Sequence, residues 1–209
     1  MPPEIDTSAR LTEIAQATLD VAREEGPRSV TIRAVAARMG RSTTVITKYV
    51  PSRSALLVNA VSHVRARWDA AVAEVLDRKS GVDRLRALMD WTLDTEDYDD
   101  AIRRLWHEIL AKEEPASDQW EALVDEAHDD HASIARTIEE SEVDAPPWLA
   151  DVLFLVSRGF FVSTVKDPEG WTGDRARVAV NAMLNDVISP SAAKSTRSKN
   201  QANATEGPA

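Results

Sequence analysis

The chain has no cysteine in 209 residues. That excludes disulfide frameworks, thiolate zinc sites and cysteine nucleophiles. Glycine is scarce, at 7 residues, too few for the glycine-rich loops that cradle phosphates or dinucleotides. No apolar run approaches the ~20 residues of a membrane span. The opening Met1-Pro2-Pro3-Glu4-Ile5-Asp6 has no basic stretch followed by an apolar one. No secretory signal is therefore expected, and the chain reads as a soluble cytoplasmic protein. What remains is an ordinary globular composition, 43% hydrophobic and 29% charged, too apolar for a fully disordered protein.

Charge is present in quantity but divided along the chain. The net charge of −10 conceals a net of +4 over residues 1–67, −16 over residues 68–189 and +2 over residues 190–209. Between Glu25 and Asp69 lie 43 residues without an acid, holding Arg28, Arg33, Arg38, Arg41, Lys48, Arg53, Arg65 and Arg67. Asymmetry of this kind points to a polyanionic partner for one end only. A basic face that merely solvates the protein is the plainer alternative.

Apolar periodicity predicts helices throughout and no sustained strand, so the fold class is all-α. Leu11, Ile14, Ala15, Thr18, Val21 and Ala22 mark one helical face, stopped by Gly26-Pro27. Ile32, Val35, Ala36 and Met39 mark a second helix, with Thr31 as N-cap and Gly40 as stop. Ser42 is placed to cap a third helix reaching about Val50. A long fourth helix follows Ser52, with Leu57, Ala60, Val61, Val64, Trp68, Ala71, Val72 and Val75 in one stripe. Further amphipathic segments run to Ile188, and the stretch from Val152 to Val165 is apolar almost all round, with Arg158 its single charge. Such a helix is expected to be buried on two sides. Residues 190–209 have almost no large apolar side chain, and a disordered tail is predicted there.

The second and third helices are joined by Gly40-Arg41-Ser42, the arrangement of a helix-turn-helix, whose second helix enters the DNA major groove. On a helical wheel Ile46 and Val50 fall together, with Thr44 and Lys48 opposite and Thr43, Val45 and Thr47 beside them. The apolar pair is expected to face the other two helices and the hydroxyl-rich, basic side to face DNA. Threonine can hydrogen-bond phosphates or base edges and touch the thymine methyl, and Lys48 suits a phosphate or a guanine. Thr31 and Arg33 open the second helix, where backbone N–H groups favour an anion.

The string from Thr31 to Leu56 resembles the DNA-binding segment of TetR-family (tetracycline-repressor-like) transcription regulators. The resemblance rests on Thr31, Val35, Ala36, Gly40, Ser42, Ile46, Tyr49, Ser52, Arg53 (where the family has lysine) and Leu56. Departures are Thr44 for a common glycine, Thr47 for a common tyrosine and Val50 for a common phenylalanine. The resemblance implies an all-α homodimer with a helix-turn-helix head over residues 8–68 and a helical effector-binding and dimerisation domain over 69–189. It further implies a palindromic double-stranded DNA operator and an unknown small-molecule effector that usually releases DNA. Residues Thr31, Arg33, Arg41, Ser42, Thr43, Thr44, Val45, Thr47, Lys48, Tyr49 and Arg53 are the DNA-contact candidates. The Val152–Val165 helix and the helix after it are expected to form the dimer interface.

An aromatic-lined effector pocket is expected to draw on the six tryptophans, and Trp91, Trp106, Trp120 and His131 are the candidates. Tryptophans at helical spacing more often mean ordinary core packing. His128 and His131 stand three apart on one helix, but no third ligand is identifiable, so no metal and no cofactor are expected. Glu96, Asp97, Asp99 and Asp100 read as a solvated turn. The adjacent acids Glu113-Glu114 and Asp129-Asp130 point about 100° apart on a helix and do not converge on one substrate. No serine–histidine–aspartate arrangement or His-Glu-x-x-His signature is present, so an enzyme is not expected. The rival to a DNA-binding regulator is a helical scaffold whose basic head meets an acidic protein.

Overall fold

The computed structural model describes residues 7–94, 100–112 and 117–188. The architecture is all-α. Its helices are α1 (Thr7–Glu25), α2 (Ile32–Arg38), α3 (Thr43–Thr47), α4 (Arg53–Leu76), α5 (Gly81–Thr92), α6 (Asp100–Lys112), α7 (Asp118–Glu140), α8 (Leu149–Lys166) and α9 (Gly173–Val187). The predicted tail at 190–209 lies outside the described residues, as do Glu96, Asp97, Asp99 and the pair Glu113-Glu114.

Local chemistry sets the helix ends. Gly26, at φ 87°, ends α1 and admits a 3-10 turn over Pro27–Ser29. The hydroxyls of Thr31, Ser52, Ser117 and Thr172 accept from the backbone N–H three residues on, at 3.1–3.3 Å. At the end of α2 the Gly40 N–H donates to the Ala37 carbonyl (3.1 Å) and the Arg41 N–H to the Ala36 carbonyl (2.9 Å). This is a Schellman turn, and it needs the left-handed φ of 62° that Gly40 supplies. The third helix departs from expectation. Ser42 sits at its N-cap position without a side-chain capping bond, and α3 spans five residues. Backbone bonds from Lys48 N–H to Thr44 and from Val50 N–H to Ile46 (2.9 Å) carry the coil onward as turn rather than helix.

Two apolar cores result, and they divide differently from the expected domains. The first gathers Ile14, Leu19, Val35, Ile46, Val50, Leu56, Leu57 and Val61, but also Ile102, Leu105 and Ile109 of α6 and Leu123 of α7. The head is thus completed by a helix from the second half of the chain. The other core holds Leu76, Leu85, Met89, Leu93, Ile134, Leu149, Leu153, Phe160, Val180 and Leu184, from the end of α4 and from α5, α7, α8 and α9. Helix α4 serves both, so the expected boundary at 68/69 falls inside a continuous helix.

Helix α8 is apolar on both sides, as expected from the sequence, and the single chain covers one of them. One side buries Leu149, Leu153 and Phe160, but Leu155 on the other side is 65% exposed, and Val178 on α9 is 72% exposed. Within the single chain, α8 is covered on one side only.

The Gly40 turn sets the angle between α2 and α3. A Cβ there meets no atom within 4 Å, so the cost of Gly40→Ala is the left-handed backbone alone. Chemical denaturation should show a loss of about 1 kcal/mol for that variant; an unchanged midpoint would mean that the turn is not under this constraint.

Candidate nucleic-acid face and ligand cavity

In the head, Ile46 and Val50 are buried in the first core, with α3 packed on α2. Thr43, Thr44, Thr47 and Lys48 are exposed, and Val45 and Tyr49 are half-buried. The Thr47 hydroxyl donates to the Thr44 carbonyl at 3.3 Å, and the Lys48 ammonium lies 5.6 Å from the Tyr49 ring centroid. Thr31, Arg33, Arg41 and Ser42 are exposed nearby. The outward face is therefore hydroxyls with a few cations and no acid.

Not every cation of the acid-free segment is available to that face. Arg38 is held by two 2.5 Å hydrogen bonds to Glu24 of α1, and this pairing holds the Glu24 carboxyl below its usual range. Arg65 turns into the cavity described below. Arg53, a DNA-contact candidate in the sequence, also points inward. Its Nε donates to the Val30 carbonyl (2.8 Å), and its Nη2 donates to the Pro27 carbonyl (2.9 Å) and to Glu108 of α6 (3.2 Å). The charge run overstates the basicity of the head's surface, because composition records charge but not its partners.

At the seam between the two cores lies a cavity of about 140 Å3. Val61, Trp68 and Val72 of α4, Leu88 and Trp91 of α5, Ile102 and Trp106 of α6, Ile134 of α7, and Phe154 and Phe161 of α8 supply its apolar wall. Trp68 and Trp91 meet edge to face, with centroids 6.2 Å apart. The polar part is a chain of charges. Asp130 accepts from Arg158 of α8 and from Arg65 of α4, each at 2.5 Å, and Arg65 also bridges Glu126 at 3.0 Å. The Arg158 guanidinium lies over two rings, 4.8 Å from the Trp106 centroid and 5.2 Å from that of Phe154. Burial raises the Asp130 carboxyl above the usual range; Arg158 and Arg65 pull it down, while Glu126 and Asp69 reinforce the rise.

Of the four expected pocket residues, Trp91 and Trp106 line this cavity, while Trp120 and His131 do not. Trp120 sits in the first turn of α7, its N–H capped by Ser117. His131 pairs with Asp151 at 2.7 Å and meets the edge of Phe154, tying α7 to α8 outside the cavity. No three potential metal ligands cluster among the described residues, and His128 is exposed. No helix among them is long and apolar enough to cross a membrane.

No family model matches the chain. Over 102 residues it is 29% identical to the HTH-type transcriptional regulator BetI of Proteus mirabilis, a match covering 47% of this chain and 51% of that protein. The chain thus spans about half the length of that curated relative. The fold matches further. A TetR transcription regulator from Haloarcula marismortui superposes with a TM-score of 0.72 at 18% identity, covering 87% of this chain and 100% of that one. The fold is that of the TetR-type regulators. A protein from Saccharomonospora viridis, described as a transcriptional regulator and solved in complex with choline, matches with a TM-score of 0.66 at 21% identity, covering 88% of this chain and 100% of that one.

Within the TetR-type fold, sequence reasoning missed Arg65, Glu126, Asp130, Phe154, Arg158 and Phe161 as cavity residues. One signal was available. A lone arginine in an otherwise apolar helix needs a partner, and Asp130 on the preceding helix is that partner. Arg53 now reads as a clamp between the 3-10 turn, α4 and α6. Arg53→Leu should cost about 2 kcal/mol in denaturant unfolding through the carbonyls and the Glu108 carboxylate left behind. The exposed Arg33→Ala should leave stability unchanged. Equal stability of Arg53→Leu and wild type would return Arg53 to the outward face.

Proposed function

We propose that this chain is a sequence-specific DNA-binding transcriptional regulator, a repressor released from a palindromic operator when a small molecule enters the cavity between α4 and α8. The observation that carries the reading is the polarity of α3. Its Ile46 flank is buried, and Thr43, Thr44, Thr47 and Lys48 form an exposed, acid-free strip beside a Gly40 turn. Hydroxyls and one ammonium of this kind read base edges and phosphates in a major groove. The name of the Proteus mirabilis relative supports the DNA-binding part, and the choline held by the Saccharomonospora viridis protein supports an effector-binding half.

A palindrome is read by a two-fold dimer. Leu155 on α8 and Val178 on α9 are the most exposed large apolar side chains among the described residues. Paired with their copies they would form an isologous four-helix contact. The two α3 segments must then sit roughly 34–36 Å apart to enter successive major grooves. A ligand favouring another separation weakens DNA binding by linkage.

Selection from random duplexes should yield one palindromic sequence, bound far above random DNA and weakened steeply by salt. Equal affinity for every duplex would instead favour a scaffold role for the basic head. On the selected operator, Lys48→Ala and Thr44→Ala should each lose about tenfold or more in affinity, with melting temperature unchanged, because both side chains are exposed. If either variant chiefly unfolds the head, the assignment of faces fails. Leu155→Asp should convert the dimer to monomer in analytical ultracentrifugation; an intact dimer would place the interface elsewhere.

A further inference from the structure

We propose that Arg158 is a built-in occupant of an organic-cation site, and that the effector is a small monovalent organic cation that displaces its guanidinium from Trp106, Phe154 and Asp130. The inference rests on the reading of this cavity as the effector site, and deepens it by naming the ligand's charge and the side chain it competes with.

The guanidinium already occupies the environment that an organic cation requires. Two ring faces lie within 4.8 and 5.2 Å of it, and a carboxylate oxygen lies at 2.5 Å. Ring faces carry negative electrostatic potential and attract a cation most strongly where water is excluded. Charge balance favours the same sign. The lining holds three carboxylates, Asp69, Glu126 and Asp130, against two guanidiniums, Arg65 and Arg158. Both guanidiniums are already engaged by carboxylates. An entering anion would have to break those pairs and then face the surplus negative charge and the ring faces. An entering cation exchanges with Arg158 at constant charge, while Arg65 stays with Glu126.

Size and exit are also satisfied. The cavity, about 140 Å3, is close to the ~150 Å3 that admits benzene in an engineered protein. With the space that the displaced guanidinium vacates, that sets a ligand of about six to nine non-hydrogen atoms. The Arg158 side chain is 24% exposed, so its flexible stem has a route to solvent when the charged head is displaced. Asp130 also holds Arg65 of α4, so exchange at Arg158 alters a contact on the helix that enters the head.

The test uses the full-length protein without DNA, with tryptophan fluorescence and calorimetry as readouts. The probes are choline, benzamidinium, choline's uncharged isostere 3,3-dimethylbutan-1-ol, and benzoate. At least one of the two cations should bind, and the alcohol and benzoate should bind at least about tenfold more weakly. Arg158→Met keeps the apolar stem and removes the competing charge, so it should tighten cation binding by about tenfold. Asp130→Asn should weaken it by a similar factor. Trp106→Leu should also weaken it, whereas Trp106→Phe should largely restore it. Far-UV circular dichroism and melting of each variant separate lost binding from lost folding, and the tightening in Arg158→Met cannot arise from unfolding.

The proposal is overturned if neither cation binds at concentrations up to about 10 mM. It is equally overturned if the neutral isostere or benzoate binds as well as a cation, or if Arg158→Met binds cations no better than wild type. Operator binding is measured separately. Cation binding without sequence-specific DNA binding would sink the regulator reading and leave this site standing. Operator binding without cation binding would do the reverse.

Discussion

One helix is shared by two cores, and the rest of the arrangement follows from that. Leu56, Leu57, Ala60, Val61 and Val64 place the first half of α4 in the head's core, while Leu76 places its end in the other. With no linker between them, the two parts cannot reorient without bending or shifting a rod of 24 residues. Helix α6 adds a second tie, since Ile102, Leu105 and Ile109 pack into the head's core while Trp106 faces the cavity. Glu108 on the same helix reaches Arg53, which holds the turn before α2. A change in the cavity wall is therefore mechanically close to the turn before α2 without any long chain of intermediaries.

The charges at the seam follow from the same geometry. A guanidinium in an apolar helix needs neutralisation, and Asp130 supplies it at a cost visible in its raised carboxyl pKa. Asp130 can hold two arginines because they approach from opposite flanking helices, α4 and α8. A half-buried polar cluster of this sort is weak as pure stabilisation, because desolvation offsets most of the Coulombic gain. The cluster ties α4, α7 and α8 together, and in this molecule those helices enclose the cavity.

Much of the fold could be read from the sequence, and the reasons are local. Apolar spacing at three and four residues, Thr31 and Ser52 as caps, and Gly40 as a left-handed stop are short-range signals, and they located the head's helices. The face of α3 was legible because a helical wheel separates Ile46 and Val50 from Thr44 and Lys48. The cavity was only half legible. Trp91 and Trp106 stand out as large aromatics, but nothing in the sequence distinguishes them from Trp120, which packs elsewhere at the start of α7. Which residues partner across helices was not legible, beyond the need of the lone Arg158 for a carboxylate. Arg53 and Arg65 look alike in a basic run, yet one closes onto Val30 and Pro27 and the other onto Glu126 and Asp130. Periodicity reports which face of a helix is buried and not what it is buried against.

Helix α8 turns Phe154 and Arg158 to the cavity and, one residue from Phe154, turns Leu155 to the outside. Neighbours in the gene thus answer to different demands. Under the proposed reading, positions 154, 157, 158 and 161 tune the cavity while 155 answers to the proposed dimer contact. For anyone recasting such a protein as a biosensor, this interleaving marks where a mutagenic library should be dense and which codon between its targets should be left alone.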